Sequence, residues 1–388
     1  MLKALAISNY RSIRALVLPL GSLNLVTGAN GSGKSNLYKA LRLLSDTALG
    51  SAAGSIAGEG SLASVLWAGP EQFSRGMIQG DEPVQGGPRK NRVNLRLGIA
   101  GDDSSYAIDF GLPAPVARTL FDGDPEIKRE VIWIGEIYHH SRLMIDRTGP
   151  VVKARDDSGA WQVLNRHLPV FDSMLARSSD PILAPEAFAL REHIRSWRFY
   201  DQFRTDRDAP SRQAQIGTRT LVLHHDGRDL PAAWQTILEI GDAAGLGRVL
   251  ADAFPGAEVF IERDGGRFAL KFHQRGLLRP LDQWELSDGT LRYLCLAAAL
   301  LTPRPPTLMI LNEPETSLHP ELLPALARLM LRAAETTQLW VTSHSDVLIS
   351  LLQENPVCNH LRLTKRLGET QLLDVSAADI PAWRWPNR

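Results

Sequence analysis

The chain has 388 residues, 44% of them hydrophobic, and its 43 Lys and Arg are matched by 43 Asp and Glu. That length holds two or three average domains, or one large α/β domain with an insertion, and the apolar fraction excludes a disordered chain. The charge balance excludes a uniformly basic nucleic-acid binder and an acidic solvating chain, so a charged partner has to be met by a local patch. Apolar runs such as Tyr293 to Leu301 fall short of the roughly 18 to 20 residues of a membrane span. Met1 to Ile13 alternates like a strand and shows no cleavable leader, and Cys295 and Cys358 supply neither a disulfide framework nor a zinc site. A cytoplasmic protein without membrane association is expected.

Leu2 to Ile7 and Ala15 to Leu20 read as short strands, and Ser22 to Thr27 as an apolar strand running into a Gly-rich turn. Apolar residues at 37, 40, 41 and 44 predict a helix over Ser35 to Leu44, and the low-complexity stretch Gly50 to Ser61 reads as a loop. After a Gly-, Pro- and Gln-rich segment, Arg92 to Ala100, Ser105 to Phe110, Glu130 to Tyr138, Arg142 to Asp146 and Trp161 to Leu164 form an expected antiparallel block. Helical patterns at Pro185 to Trp197 and Leu230 to Ile240 flank a polar, Arg-rich centre, an inserted helical lobe. Strand alternation returns at Glu258 to Phe272. Leu291 to Leu301 reads as a helix, Pro306 to Leu311 as an apolar strand, Glu321 to Ala334 as an amphipathic helix and Gln338 to Thr342 as a buried strand. Strand, helix, strand in this order implies a parallel sheet. The expected division is 1–168, 169–240 and 241–388, an N-terminal lobe, a helical Arg-rich lobe and a C-terminal lobe.

Gly28-Ala-Asn30-Gly31-Ser32-Gly33-Lys34-Ser35 matches G-x-x-x-x-G-K-[ST] in the required context of a strand before and a helix after. Its glycines let the backbone fold tightly enough to aim several N–H groups at one anion, and the helix start adds a partial positive charge. Lys34 would neutralise the β- and γ-phosphates of ATP, and Ser35 would place its hydroxyl on Mg2+. Such a loop needs a second strand that carries carboxylates, and Pro306 to Leu311 followed by Asn312-Glu313-Pro314-Glu315 supplies it. Asn312 offers Mg2+ a neutral amide oxygen where Asp would offer an anionic one, which weakens the metal electrostatics. Glu313 can orient, or take a proton from, the water that attacks the γ-phosphate. Leu286-Ser287-Asp288-Gly289-Thr290 opens another helix, a second start at which free N–H groups meet an anion.

Taken together, these features resemble the ATP-binding-cassette ATPases of the SMC, RecF and OLD-like group, and more narrowly the stand-alone AAA-family ATPases with an ABC-type head. The resemblance covers nearly the whole chain and rests on Asn9-Tyr-Arg11-Ser-Ile13, the Walker A loop Gly28 to Ser35 with Asn36, and the signature Leu286 to Thr290. It continues through the Walker B-like Leu308 to Glu313, the D-loop region Ser317 to Pro320 and Thr342-Ser-His344. It implies an α/β P-loop fold, an ABC-ATPase head with a mixed sheet, an antiparallel β block and an inserted helical lobe. It further implies ATP hydrolysis in a homodimer closed head to tail, with Ser287 and Gly289 of one copy on the γ-phosphate held by the other. His344 would contact that phosphate, and Asn9 and Arg11 would lie near the nucleotide. The glutamine expected at the helical lobe has no clear counterpart.

Seven Arg and four acids between Arg191 and Arg219 are interleaved with Trp197, Phe199, Tyr200 and Phe203, which fits a DNA-gripping patch or a salt-bridged lid. The 44 residues after His344 are too few for the nuclease module of OLD-type proteins, so a separate nuclease or toxin effector is expected, with DNA maintenance or antiphage defence as the setting. A nucleotide-binding scaffold with little hydrolysis is the alternative, because of Asn312. A transporter subunit would share the Walker A and signature sequences, but Asn9 to Ile13 and Ser317 to Pro320 resemble the SMC and RecF side. The pairs His139-His140 and His224-His225 lack metal-ligand spacing and read as structural.

Overall fold

The structure is a computed structural model that describes residues 1–86, 94–113, 121, 123–376 and 378–387. The start of the expected strand at Arg92 lies outside the described residues. Among those described, an eight-stranded sheet is antiparallel throughout, in the order Ile13–Pro19, Leu2–Tyr10, Leu95–Gly101, Ser104–Gly111, Glu126–Ile134, Leu143–Thr148, Val151–Arg155, Trp161–Asn165. A six-stranded sheet is mixed. Its strands Arg198–Tyr200, Leu308–Asn312, Gln338–Thr342 and Leu23–Gly28 are parallel, with Ile310 opposite Trp340 and Trp340 opposite Asn24. Its strands Cys358–Arg366 and Glu369–Leu373 form an antiparallel hairpin. Leu308 to Leu311 and Gln338 to Thr342 are buried along their whole length, as parallel strands covered on both faces are.

The chain divides into two compact units, Met1–Leu20 with Thr27–Ser196 and Leu361–Arg388, and Gly21–Val26 with Trp197–His360. In the first, the helix Lys34–Leu49 buries Leu37, Ala40, Leu41 and Leu44, the stripe that the sequence predicts. Gly50 ends it in the left-handed conformation (φ 79°), which costs a residue without Cβ little. The expected loop after it is instead the helix Ala52–Gly58. Its alanines favour helix despite the low complexity, Ile56 is buried, and Ser55 Oγ donates to Asp46 Oδ2 at 2.5 Å. The first unit also holds a fully buried ion pair, Arg147 Nη1 to Glu130 Oε2 at 3.0 Å. Arg147 further donates to the carbonyls of Gly149, Pro169 and Asp172, and Glu130 accepts from Tyr106 Oη, Ser173 Oγ and Met174 N. Burial, and then the Glu130 charge, push the Tyr106 hydroxyl well above the usual range.

In the second unit, the helix Asp288–Leu300 is buried nearly all round, against Trp234 and Ile237 and against Leu326 and Met330 of the amphipathic helix Leu323–Ala333. Trp197, Phe199, Tyr200 and Phe203, the aromatics of the Arg-rich segment, are each less than 9% exposed. They are core, so base stacking by these rings is excluded, and of the grip on DNA only the arginines remain.

Candidate nucleotide site

The phosphate loop lies in the first unit. Three of its residues, Gly28 (φ 148°), Gly31 (φ 79°) and Gly33 (φ 113°), hold backbone that L side chains rarely adopt. A Cβ on Gly28 would stand 2.5 Å from the Leu363 carbonyl oxygen, and one on Gly33 would overlap the Thr370 hydroxyl. Gly33 caps the helix Lys34–Leu49 with no side-chain hydrogen bond, so the first N–H groups of that helix are left for an external acceptor. Ser32 Oγ is buried without a hydrogen-bond partner. Lys34 Nζ donates to the carbonyls of Gly28 (2.6 Å) and Ala29 (3.1 Å), folded back onto its own loop. An open helix start, a buried orphan hydroxyl and an ammonium fit a polyphosphate. Ser35 is exposed at the first turn, where its hydroxyl would hold Mg2+, and Asn30 is exposed on the loop.

Asn9 and Arg11 take left-handed backbone, φ 60° and 52°, unusual for residues with a Cβ. Asn9 Nδ2 donates to the Asn94 carbonyl at 3.0 Å. Arg11 Nη2 meets Glu59 Oε2 at 2.6 Å, and Glu59 also receives Tyr10 Oη at 3.1 Å and Lys39 Nζ at 3.2 Å. The guanidinium is thus paired within the unit. Asn36 Nδ2 donates to Ser12 Oγ at 2.7 Å.

The second unit carries the acids and the signature. Asn312 ends the strand Leu308–Asn312, and Glu313 follows at φ 48°, its N–H donating to the Thr342 carbonyl at 2.8 Å. His344 Nε2 lies 3.5 Å from Glu313 Oε1, so the two expected catalytic side chains of this unit face each other. Arg292, on the signature helix, donates to the Glu313 carbonyl at 3.1 Å. Burial holds its guanidinium below the ordinary arginine range. Glu315, one of the acids after the strand, is a residue to which the sequence assigns no task of its own. Its Oε1 accepts from Ser343 Oγ (2.7 Å), His344 N (2.8 Å) and Ser345 N (3.2 Å), which fixes the loop that presents His344.

Ser287 caps the signature helix, its Oγ accepting from Thr290 N at 3.2 Å, and it is exposed. Gly289 has a reason to be glycine, because a Cβ there would sit 2.9 Å from the Ser317 carbonyl oxygen, and Ser317 is itself left-handed at φ 65°. Arg212, from the Arg-rich segment, is 9% exposed and clamps this loop. Its guanidinium donates to the carbonyls of Leu286 (2.7 Å), Trp284 (3.1 Å) and Thr205 (2.8 Å) and to Asp288 Oδ1 (2.6 Å). This one arginine of the Arg-rich segment is thus tied into local structure by an ion pair to Asp288. His224, His225 and Asp226 bring ligand atoms within 4.8 Å of one another, but Arg228 Nε already donates to both Asp226 oxygens, at 3.0 and 2.9 Å. Burial would raise the Asp226 carboxyl, yet the bonds from Arg228 and His224 hold it well below the usual range. An ion pair fills that cluster.

Among the described residues, no helix is long and apolar enough to cross a membrane. The profile of the family described as "AAA domain, putative AbiEii toxin, Type IV TA system" matches residues 23–350. The chain is similar to the DNA replication and repair protein RecF of Brucella abortus (strain 2308) and of Brucella melitensis biotype 1. Each is 34% identical over 143 residues, which is 34% of this chain and 36% of the relative. The matched region thus spans about a third of the length of these curated relatives. Among solved structures, an SmcHead bound to the C-winged helix domain of ScpA shares the fold, with a TM-score of 0.52 at 13% identity over 97% of this chain and 98% of that one. With a Gly-rich loop between strand and helix, an acid-bearing strand and a family match over residues 23–350, the chain belongs to this AAA-domain family of P-loop ATPases, and it shares its fold with an SMC head.

Proposed function

We propose that the protein binds Mg-ATP at Gly28 to Asn36, closes on it head to tail with a second copy of itself, and hydrolyses it to reopen. The observation that carries this reading is the uncapped helix start behind three left-handed glycines, beside the buried, unpartnered Ser32 hydroxyl. In the first unit Lys34 and the loop N–H groups hold the phosphates and Ser35 offers its hydroxyl to Mg2+; in the second unit Asn312 is the candidate metal ligand and Glu313, with His344 beside it, the candidate group for positioning and deprotonating the attacking water. Ser287 and Gly289 of one copy meet the γ-phosphate on the other, so ATP favours the closed pair by its extra contacts there. RecF is named for DNA replication and repair and the family for a toxin system, which supports a role in DNA maintenance or antiphage defence with a separate nuclease or toxin effector. Contact with DNA would fall to arginines such as Arg195 and Arg207.

The test is the mass in solution of Glu313→Gln, with and without Mg-ATP. A monomer-to-dimer shift that Ser287→Arg abolishes is the expected result. Because Ser287 is exposed, the Arg variant keeps nucleotide binding by the monomer. An unaltered ATP-dependent dimer in Ser287→Arg would remove the signature from the account.

A second reading, a switch that binds ATP and hardly hydrolyses it, is favoured by one observation, the neutral Asn312 at the end of the acid-bearing strand. If the missing carboxylate limits turnover, Asn312→Asp raises the rate by about tenfold, the equivalent of ~1.4 kcal/mol. A phosphate-release assay that finds both proteins inactive despite equal ATP affinity would favour the switch.

A further inference from the structure

Behind the phosphate loop runs a chain of polar groups drawn from distant parts of the sequence. Asn36 Nδ2 lies 2.7 Å from Ser12 Oγ, Ser12 Oγ lies 2.7 Å from Thr370 Oγ1, and Thr370 Oγ1 lies 2.9 Å from the Ser32 carbonyl oxygen. All four residues belong to the first unit, and Thr370 is 1% exposed. A backbone bond from Thr370 N to the Ser12 carbonyl, at 2.7 Å, holds the two hydroxyls in register.

Proton bookkeeping gives this chain a direction. A carbonyl only accepts, so Thr370 spends its one proton on Ser32. Ser12 must then donate to Thr370, and its own lone pair receives the Asn36 amide. Hydrogen bonds aligned head to tail polarise one another, so each of them, the one to the loop included, is strengthened.

The peptide that joins Ser32 to Gly33 is planar and trans, and its C=O and N–H therefore point in opposite directions. Holding the carbonyl on Thr370 turns the Gly33 N–H away from Thr370. The same threonine explains the glycine, because a Cβ on Gly33 would overlap its hydroxyl. Without the tie, the permissive glycine backbone lets this peptide rotate, and binding a phosphate would have to restore its orientation.

We propose that Thr370, backed by Ser12 and Asn36, is a positioning group that presets the Ser32–Gly33 peptide for phosphate before nucleotide arrives. The inference rests on the nucleotide reading above and extends it to a residue at the far end of the chain. It also gives Ser12, in the turn between the first two strands, a task at the loop.

The test measures Mg-ATP affinity by titration calorimetry, and melting without nucleotide, for the full chain and for Thr370→Val, Thr370→Ser, Ser12→Ala and Lys34→Ala. Valine keeps the shape and removes the hydroxyl, whereas serine keeps the hydroxyl and removes a methyl group. The expected result is a loss of about tenfold or more in affinity for Thr370→Val, with Thr370→Ser within about twofold of the parent. Ser12→Ala, which breaks the chain one link earlier, falls between them and carries the test should the valine variant fail to fold. A packing role predicts the reverse order, and finding serine worse than valine overturns the proposal. So does parent-like affinity in both Thr370→Val and Ser12→Ala while Lys34→Ala has lost binding, an outcome that leaves the nucleotide reading standing. No binding of Mg-ATP by the parent chain overturns both.

Discussion

Replacing Lys34 with alanine is expected to abolish measurable nucleotide binding, with a loss in Mg-ATP affinity of at least about 100-fold, or ~2.7 kcal/mol. The side chain is 7% exposed and its ammonium rests on the Gly28 and Ala29 carbonyls, at 2.6 and 3.1 Å. These are neutral acceptors, and a phosphate is an anionic one whose hydrogen bonds to an ammonium are roughly twice as strong. The lysine therefore has a better partner than the one it holds, within reach of a few rotations of its flexible stem. Truncation removes that gain and takes the ammonium from the Gly28 and Ala29 carbonyls, of which Ala29 still accepts from Ser32 N at 3.1 Å, while the glycine turn and the helix behind it remain. Calorimetric titration with Mg-ATP, next to a melting curve without ligand, separates the two consequences. An affinity equal to the parent's would sink the phosphate assignment.

The largest effect on stability is expected from Arg147→Met. Arg147 and Glu130 are both without solvent exposure, and the guanidinium also serves the carbonyls of Gly149, Pro169 and Asp172. Removing it strands a carboxylate in the interior and unties the 169–173 segment, a loss of about 3–5 kcal/mol for breaking a buried pair from one side. Pairing Arg147→Met with Glu130→Met is expected to recover much of that loss, since two apolar side chains leave no buried charge behind. The recovery stays partial because Tyr106 Oη, Ser173 Oγ and Met174 N all lose their acceptor. Urea denaturation of the single and double variants measures both values. A single variant that loses less than about 1 kcal/mol, as an exposed pair would, contradicts the burial argument.

Much of the architecture was legible because it rests on local patterns. The Gly-rich turn between strand and helix announces itself in eight consecutive residues, the helix Leu230–Ile240 in an apolar stripe, and the strand Gln338–Thr342 in an unbroken buried run. Low complexity misled at Ala52–Gly58, where burial of Ile56 outweighs the weak propensity of the glycines. Interleaved aromatics left two readings open in the Arg-rich segment, since Trp197 to Phe203 looks the same in sequence whether the rings face bases or, as they do, a core. The supporting residues of the site were not legible at all. Arg212, Glu315 and Thr370 act on backbone groups of the signature loop, the His344 loop and the phosphate loop, and a polar residue that serves a carbonyl or an N–H leaves no spacing rule behind. The facing of Glu313 and His344 likewise follows from adjacent parallel strands, in which Asn312 lies opposite Thr342, and not from their separation along the chain.

The partition of the chain also bears on how the protein is made. The first unit opens with Met1–Leu20, pauses for Gly21–Val26 of the second, and is completed only by Leu361–Arg388. A ribosome that has released the phosphate loop still has to synthesise all of Trp197–His360 before Thr370 can reach Ser32. During that interval the nascent loop lacks its brace, and the closing contact has nearly the largest sequence separation the chain allows, which makes it slow to find. On the positioning role proposed for Thr370, the loop of a growing chain would lack its preset until the strand Glu369–Leu373 had been made and paired.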